Sequence, residues 1–396
     1  MRYQGKIKAA INIGMADTTV STLPLKSILH YWLDISQDIG LDFIRLLDYL
    51  SERDLGLLDI ALSERSIRQL YDFPLLAYYF THDIIIGKLN QSESHLRWII
   101  KRNLDYHIQK IEISLNKSSA IDFNCYDLRL PNLLCMKFWF IDTNICRIVS
   151  LYSRTLRRLD ILHGIDEISE RSFESICSAC NELTHIYISE HTDKIFVCLP
   201  TEILPIISIY CKALQVLQLS NMNELYCSSF ACLAELTELQ VLNIDFMGSD
   251  DSSFPSAVFA SNTKLRVFSI NGFFSHNPIM RGLGEHCHSL KYVTLSACVL
   301  EALTDDGIIA MVKGCPLLES IYINALNTTD DFETNVYVTN AAMYAIAQYC
   351  TYLEYFRLIS IVPLAYDNDG LDAIKYGCPH IRAIHKGMEL YYAAPT

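Results

Sequence analysis

Cys177, Cys180, His185 and Cys198 have the residue types, and the opening Cys-x-x-Cys spacing, that could close a tetrahedral site around a zinc ion. His286-Cys287-His288 is a second cluster of ligand-type side chains, and Gly282-Leu283-Gly284 is a fragment of the glycine turn that cradles phosphates. Each also has a plainer reading. Cys177 and Cys180 stand three apart, the spacing of two core residues on one stripe of an amphipathic helix. If Cys287 points inward, the imidazoles on either side of it must point elsewhere. The glycine pair lacks both the third glycine and the preceding strand of a dinucleotide fingerprint. The sequence holds no phosphate-loop pattern, no His-Glu-x-x-His and no nucleophile elbow, and nothing places two carboxylates against one substrate. The expectation is a protein without catalytic residues, metal or cofactor: not an enzyme.

The elements that would position these residues are marked by the cysteines themselves. The chain has 14 of them in 396 residues. Six, Cys180, Cys211, Cys287, Cys315, Cys350 and Cys378, each stand three residues before an apolar residue that opens the same pattern, apolar-x-x-apolar-x-apolar. The triads read Leu183/Ile186/Ile188, Leu214/Leu217/Leu219, Leu290/Val293/Leu295, Leu318/Ile321/Ile323 and Leu353/Phe356/Leu358, and Cys378 leads to Ile381 and Ile384. Leu239/Leu242/Ile244 and Leu265/Phe268/Ile270 keep the triad without the cysteine, and weaker copies stand at Cys135/Phe138/Phe140 and Ile108/Ile111/Ile113. From Leu156 onward the first members recur roughly 25 to 35 residues apart, which makes this an internal repeat. Seven and four residues ahead of each cysteine stand further apolar pairs, among them Phe173/Ile176, Met280/Leu283, Ile308/Met311 and Leu371/Ile374. Those spacings share one helical stripe, so each unit is a strand followed by an amphipathic helix. Thr304-Asp305 and Thr339-Asn340 supply capping side chains at helix starts, and Gly314-Cys315-Pro316 and Gly377-Cys378-Pro379 end helices.

This pattern resembles the cysteine-containing class of leucine-rich repeats. The best copy is Cys287 to Pro316, where Leu290, Val293, Leu295, Cys298, Thr304-Asp305, Gly307-Ile308 and Cys315-Pro316 all match. The resemblance, carried by residues 150 to 396, implies an α/β fold: a leucine-rich-repeat solenoid, a horseshoe of parallel strands plus helices. It also implies that the six cysteines are reduced core thiols at the strand–helix junction, packed as small hydrophobes. The expected organisation is an N-terminal tail over 1–22, a small N-terminal helical domain over 23–105, and about eleven repeats over 106–396. Within 23–105, the string Phe43-Ile-Arg-Leu-Leu-Asp-Tyr-Leu-Ser-Glu-Arg-Asp-Leu55 resembles the middle of an F-box. That resemblance implies docking on a Skp-type adaptor of a cullin ubiquitin ligase through Leu47, Leu50, Asp54 and Leu55. The competing reading is a helical cap that seals the first repeat.

Composition narrows the partners. With 51% hydrophobic and 19% charged residues the chain has ample material for a core. A net charge of −13 argues against nucleic acid or an anionic membrane as the main partner. No apolar run approaches the ~20 residues of a membrane helix, and the start lacks a secretory pattern. The expectation is an intracellular protein, cytoplasmic or nuclear. Residues between the triad members alternate away from the core, so the concave face of the solenoid should carry two columns of side chains. The first includes Lys137, Arg158, His185, Tyr292 and Tyr355, the second Trp139, Tyr187, Tyr322 and Arg357. Trp139, Arg158, His185, Tyr187, Tyr292, Tyr322, Tyr355 and Arg357 are therefore the candidate protein-binding residues, because aromatic and arginine side chains anchor interfaces. The segment Asn324 to Tyr337, with Asp330, Asp331 and Glu333, reads as a loop reaching over this face or as a solvated bulge. The expected function is a non-catalytic protein-interaction scaffold. Within that class the sequence favours an F-box-like substrate receptor of a cullin-type ligase, with a structural or assembly subunit of a large complex as the alternative.

Overall fold

The computed structural model describes residues 84–86, 110–113, 132–139, 141, 146, 149, 153–163, 168–189, 203–222, 227–246, 254–299, 303–325, 337–360 and 365–394. The candidate adaptor positions Leu47, Leu50, Asp54 and Leu55, Cys198, and positions 326–336 of the acidic segment lie outside them. The chain divides into two compact units, and every described residue from Lys110 onward belongs to the second. Among the described residues, strands alternate with helical segments from Arg158 to Lys386. The strands are β1 (Ile84–Ile86), β2 (Lys110–Ile113), β3 (Cys135–Phe138), β4 (Arg158–Ile161), β5 (His185–Ser189), β6 (Val216–Met222), β7 (Val241–Phe246), β8 (Val267–Phe274), β9 (Tyr292–Val299), β10 (Ser320–Ala325), β11 (Tyr355–Ser360), β12 (Ala383–Lys386) and β13 (Glu389–Ala393). The helices are α1 (Glu170–Ala179), α2 (Ile203–Tyr210), α3 (Ser256–Ser261), α4 (His276–His286), α5 (Asp305–Gly314), α6 (Asn340–Tyr349) and α7 (Asn368–Gly377). A 3₁₀ segment, Cys227–Glu235, stands where β6 and β7 would otherwise be joined by a helix.

All thirteen strands lie in one sheet in chain order. From β2 to β12 each pairs in parallel with the next, and the middle triad members form one row, from Ile111 through Met136, Leu159 and Ile186 to Ile321, Phe356 and Ile384. Parallel pairing follows from connectivity, because the chain must pass through a turn and a helix before it can start the next strand. The triad residues Leu183, Leu217, Leu242, Phe268, Leu295 and Phe356 are buried, and so are the helix-stripe residues Phe173, Ile207, Leu283, Met311, Ile346 and Leu371 that pack behind them. Burying each such side chain contributes about 1.5–3 kcal/mol, and it is available only when neighbouring units stack. The fold is an α/β leucine-rich-repeat solenoid.

The cysteine position works as a joint between helix and strand. In each unit its N–H donates to the carbonyl four residues back, as Cys315 does to Met311 (2.9 Å), and its own carbonyl accepts from the first triad residue, Leu318 (3.3 Å). The Cys315 thiol points back to the Cys287 carbonyl of the unit before (3.4 Å) and to Leu283 O (3.5 Å). Burial pushes the Cys287 and Cys315 thiols up to about 12, so they remain protonated donors. The two units that lack the cysteine show what the position requires. Leu236 fills it in one, and in the other the buried Asn262 carboxamide donates to Leu233 O (3.1 Å) and Val258 O (2.8 Å). Cys177, the first residue of the Cys-x-x-Cys pair, is buried, and its thiol pKa is raised by hydrogen bonding to Cys211 and by burial. Those contacts place it in the core.

One register differs from the sequence reading. The triad of β3 is Leu133, Met136 and Phe138, all buried, rather than Cys135/Phe138/Phe140. A slip of two keeps inside and outside unchanged, because strand side chains alternate with period two, and both frames are apolar. Each outward residue nevertheless moves one place. Cys135, not Lys137, is the neighbour of Arg158, and Lys137, not Trp139, is the neighbour of Asp160. A second difference is the end of the chain. After β12 it turns through Gly387, whose φ of +63° suits glycine, and β13 returns antiparallel to cover the last repeat.

Helix starts are cross-linked from unit to unit. Asn277 Oδ1 accepts from Thr304 N (3.2 Å), Asp305 Oδ1 from Thr339 N (2.8 Å), and Asn340 Oδ1 from Asp367 N (3.1 Å). Helix ends approach so closely that glycine is needed. A Cβ at Gly314 would stand 1.7 Å from the Gly284 carbonyl oxygen. Gly314→Ala must therefore displace backbone, and equilibrium unfolding should show a loss of about 1–3 kcal/mol. A loss below about 0.5 kcal/mol would mean that α4 and α5 separate freely.

His276, at the start of α4, is buried beside Phe274 (ring centroids 5.4 Å), and neither ring nitrogen makes a hydrogen bond of normal geometry. Burial pulls its pKa down to about 4, opposed only weakly by the Leu295 backbone. An unfolded histidine titrates near 6.5. Between about pH 6.5 and pH 4 the unfolded chain thus holds a proton that the folded chain does not, and stability falls as pH falls, by about 3 kcal/mol over that window. His276→Leu should flatten this part of the stability–pH curve measured by urea unfolding. An acid limb that keeps its full slope in the variant would assign the loss to other groups.

Candidate functional site

Opposite the helices, the outward columns of the sheet follow from the register. The first runs Lys110, Cys135, Arg158, His185, Val216, Val241, Val267, Tyr292, Ser320, Tyr355, Ala383. The second runs Glu112, Lys137, Asp160, Tyr187, Gln218, Asn243, Ser269, Thr294, Tyr322, Arg357, His385. Seven of the eight candidate residues stand in these columns as expected. Trp139 instead lies just past the end of β3, 43% exposed. Its indole Nε1 donates to Glu112 Oε1 (2.8 Å), and its ring faces Lys137 Nζ (5.6 Å) and His163 (6.4 Å between ring centroids).

The register separates the candidates into two groups. Arg158, His185 and Tyr187 lie on β4 and β5, whereas Tyr292, Tyr322, Tyr355 and Arg357 lie on β9 to β11. At about 4.8 Å per strand, roughly 19 Å of sheet separates β5 from β9. The intervening columns are the half-buried valines Val216, Val241 and Val267 with Gln218, Asn243 and Ser269 beside them.

In the first group the arginine is matched on its own strand. Arg158 forks onto Asp160, Nε to Oδ1 at 2.9 Å and to Oδ2 at 3.0 Å, and the Asp160 hydrogen bond raises the arginine pKa further. Burial lowers the pKa of His185, and the Arg158 charge adds to that while Asp160 opposes it. Its Nδ1 is 2.9 Å from Thr184 Oγ1. Beyond it, Lys137 is paired with Glu112 (3.1 Å). Burial pulls Glu112 upward, but the hydrogen bonds from Trp139 and Lys137 and the nearby lysine charges together leave its pKa below the usual value.

The second group presents more surface. Tyr292 is 43% and Tyr355 45% exposed. The Tyr292 hydroxyl donates to Glu319 (2.5 Å), which raises the tyrosine pKa, and Glu319 also holds Lys291 (2.6 Å). Those two donors lower the Glu319 pKa. Tyr322 lies under the Arg357 guanidinium, 5.7 Å from ring centroid to Cζ. Lys291, Glu319 and Glu354 were outside the columns read from the sequence because they stand one residue ahead of their strands. A signal was there in the charges at these positions, which pair across neighbouring units, Lys291 with Glu319 and Glu354 with Arg382 (3.3 Å). Met388, whose Sδ accepts from Arg357 Nη2 at 3.4 Å, comes from the β12–β13 turn and follows no repeat rule.

Among the described residues, no three His, Cys, Asp or Glu side chains come together as metal ligands, and no helix among them is long and apolar enough to cross a membrane. No protein-family model matches the sequence, and no curated protein sequence matches it either. Among solved structures the chain is similar to one in the crystal structure of the Rad7 and Elc1 complex in yeast, at 13% identity over 97% of this chain and 92% of that chain, with a TM-score of 0.49. It is similar also to the crystal structure of a TLR13–ssRNA13 complex, at 14% identity over 70% of this chain and 36% of that one, TM-score 0.43. A leucine-rich-repeat protein of Leptospira interrogans matches at 13% identity over 81% of this chain and 92% of that chain, TM-score 0.36.

Proposed function

We propose that this protein is a protein-interaction scaffold whose partner docks on the sheet face around Tyr292, Tyr322, Tyr355 and Arg357. The observation that carries this is a pair of tyrosines more than two-fifths exposed, Tyr292 and Tyr355, on a rigid sheet face where the core has no use for them. Tyrosine and arginine contribute most to affinity when a partner excludes water from them. Neither Tyr322 nor Tyr355 belongs to the inward triads, so removing both rings should leave the fold intact. Tyr322→Ala with Tyr355→Ala should weaken partner capture at least ~30-fold per hot-spot residue lost, with an unchanged thermal melt. A folded double variant that keeps every partner at wild-type affinity would place the binding surface elsewhere.

The finer reading is a substrate receptor of a cullin-type ubiquitin ligase. It is supported by the F-box-like string from Phe43 to Leu55, whose candidate adaptor positions are Leu47, Leu50, Asp54 and Leu55. Co-purification with a Skp-type adaptor, lost on Leu50→Ala with Leu55→Ala, is the expected result. Failure of the wild-type chain to retain any such adaptor would leave the scaffold as a structural or assembly subunit, with its N-terminal region acting as a cap.

A further inference from the structure

The cations on the sheet face are not treated alike. Lys137 is matched by Glu112 and Arg158 by Asp160. Arg357 faces the Tyr322 ring and the Met388 thioether, and its Nε is buried with no hydrogen-bond partner. Its neighbours on the face are Tyr322 and His385 across the strands and Tyr355 and Ile359 along its own. None of them is acidic. The acids one step further out are engaged, Glu319 by Lys291 and Tyr292, and Glu354 by Arg382. Glu389 stands in register with Lys386.

A guanidinium has five N–H donors in a planar fork that fits a carboxylate, whereas a thioether is a weak acceptor. The Tyr322 ring beneath Arg357, 5.7 Å from centroid to Cζ, holds the guanidinium by cation–π attraction and supplies no hydrogen-bond acceptor to its N–H groups. In the next strand, His385 is in register with Arg357, and its Nδ1 is likewise buried without a partner. Two polar atoms without a partner, Arg357 Nε and His385 Nδ1, thus belong to residues in register on adjacent strands, with Tyr322 on the far side of Arg357. Against the Arg357 guanidinium lies Met388, 76% exposed at the tip of a two-residue turn, an unbranched side chain that rotates away easily.

We propose that Arg357, with His385 beside it, receives an Asp or Glu side-chain carboxylate from an extended segment of the protein partner, and that this carboxylate displaces Met388. The inference rests on the reading of the tyrosine face as the docking surface and adds the partner's chemistry to it. The net charge of −13 gives an acidic segment no long-range attraction, so recognition depends on contact geometry at Arg357.

The test uses a displayed library of random peptides selected on the full chain, with the selected sequences resynthesised with amidated C-termini to remove the terminal carboxylate. The expected binders contain Asp or Glu. Changing that residue to Asn or Gln should weaken binding about tenfold on the wild-type chain and hardly at all on Arg357→Gln. Arg357→Lys, which keeps the charge and loses the fork, supplies the same comparison should Arg357→Gln fail to fold. Equal losses on wild type and variant would overturn the carboxylate site. Binders without any acid that are still lost on Tyr322→Ala with Tyr355→Ala would also overturn it, while leaving the docking face intact. Binders indifferent to the tyrosine pair would remove both readings together.

Discussion

One strand and one short helix have no second layer against which to bury their apolar sides, so each unit of this chain depends on the units stacked beside it. The row from Ile111 to Ile384 is the direct expression of that dependence, since every member covers and is covered by its counterparts in adjacent strands. Other features follow from keeping the stack tight. Carbonyls at helix ends need donors that fit between closely spaced units, and the Cys315 thiol and the Asn262 carboxamide both reach back to the unit before. Glycines at 284 and 314 let α4 and α5 touch backbone to backbone. The helix starts are tied by Asn277, Asp305 and Asn340, one per unit.

A parallel stack leaves each outermost repeat strand with an edge that no further repeat pairs. Along β12 that edge is paired by β13, which turns back antiparallel. Lys386 marks the same boundary in sequence terms. It stands in register with Leu358, where the other units have the last apolar member of the triad. The hairpin after β12 also brings Met388 to Arg357, so the antiparallel turn and the outward face of the sheet meet there.

The core was legible in the sequence because its requirements repeat. Apolar triads, the cysteine three residues before them and the stripe behind them are enforced in each unit by identical neighbours, and they locate β5 to β12 and the helices before them. The misreading of β3 came from the same source, since two apolar frames offset by two satisfy a period-two pattern equally well, and only Leu133, buried against its neighbours, decides between them. Asn262 and Leu236 could not be read as equivalents of cysteine, because what the site selects is a group that fits the joint rather than a residue type. β13 and Met388 answer to the end of the stack alone. Lys291 and Glu319 were missed because the repeat rule names the residues inside a strand, and their pairing depends on which residue stands ahead of the adjacent strand.

The outward columns obey no rule of that kind, which leaves them open to selection for something other than the fold. Substituting Val241, Asn243 or Arg357 leaves the inward row untouched, so these positions can change without altering the stack. Register still constrains them collectively. An extended segment crossing the sheet meets a new side chain about every 4.8 Å, in an order set by the chain itself. Toward β2 to β5 it would meet charges already matched to one another, Glu112 with Lys137 and Arg158 with Asp160, each of which would lose a partner in order to bind it. Over β6 to β8 it would meet half-buried valines and neutral amides. Across β9 to β12 it meets the exposed rings of Tyr292 and Tyr355 and then Arg357, whose Nε has no hydrogen-bond partner. Binding there completes an electrostatic arrangement instead of breaking one, which is the physical reason to place the partner at that end of the face.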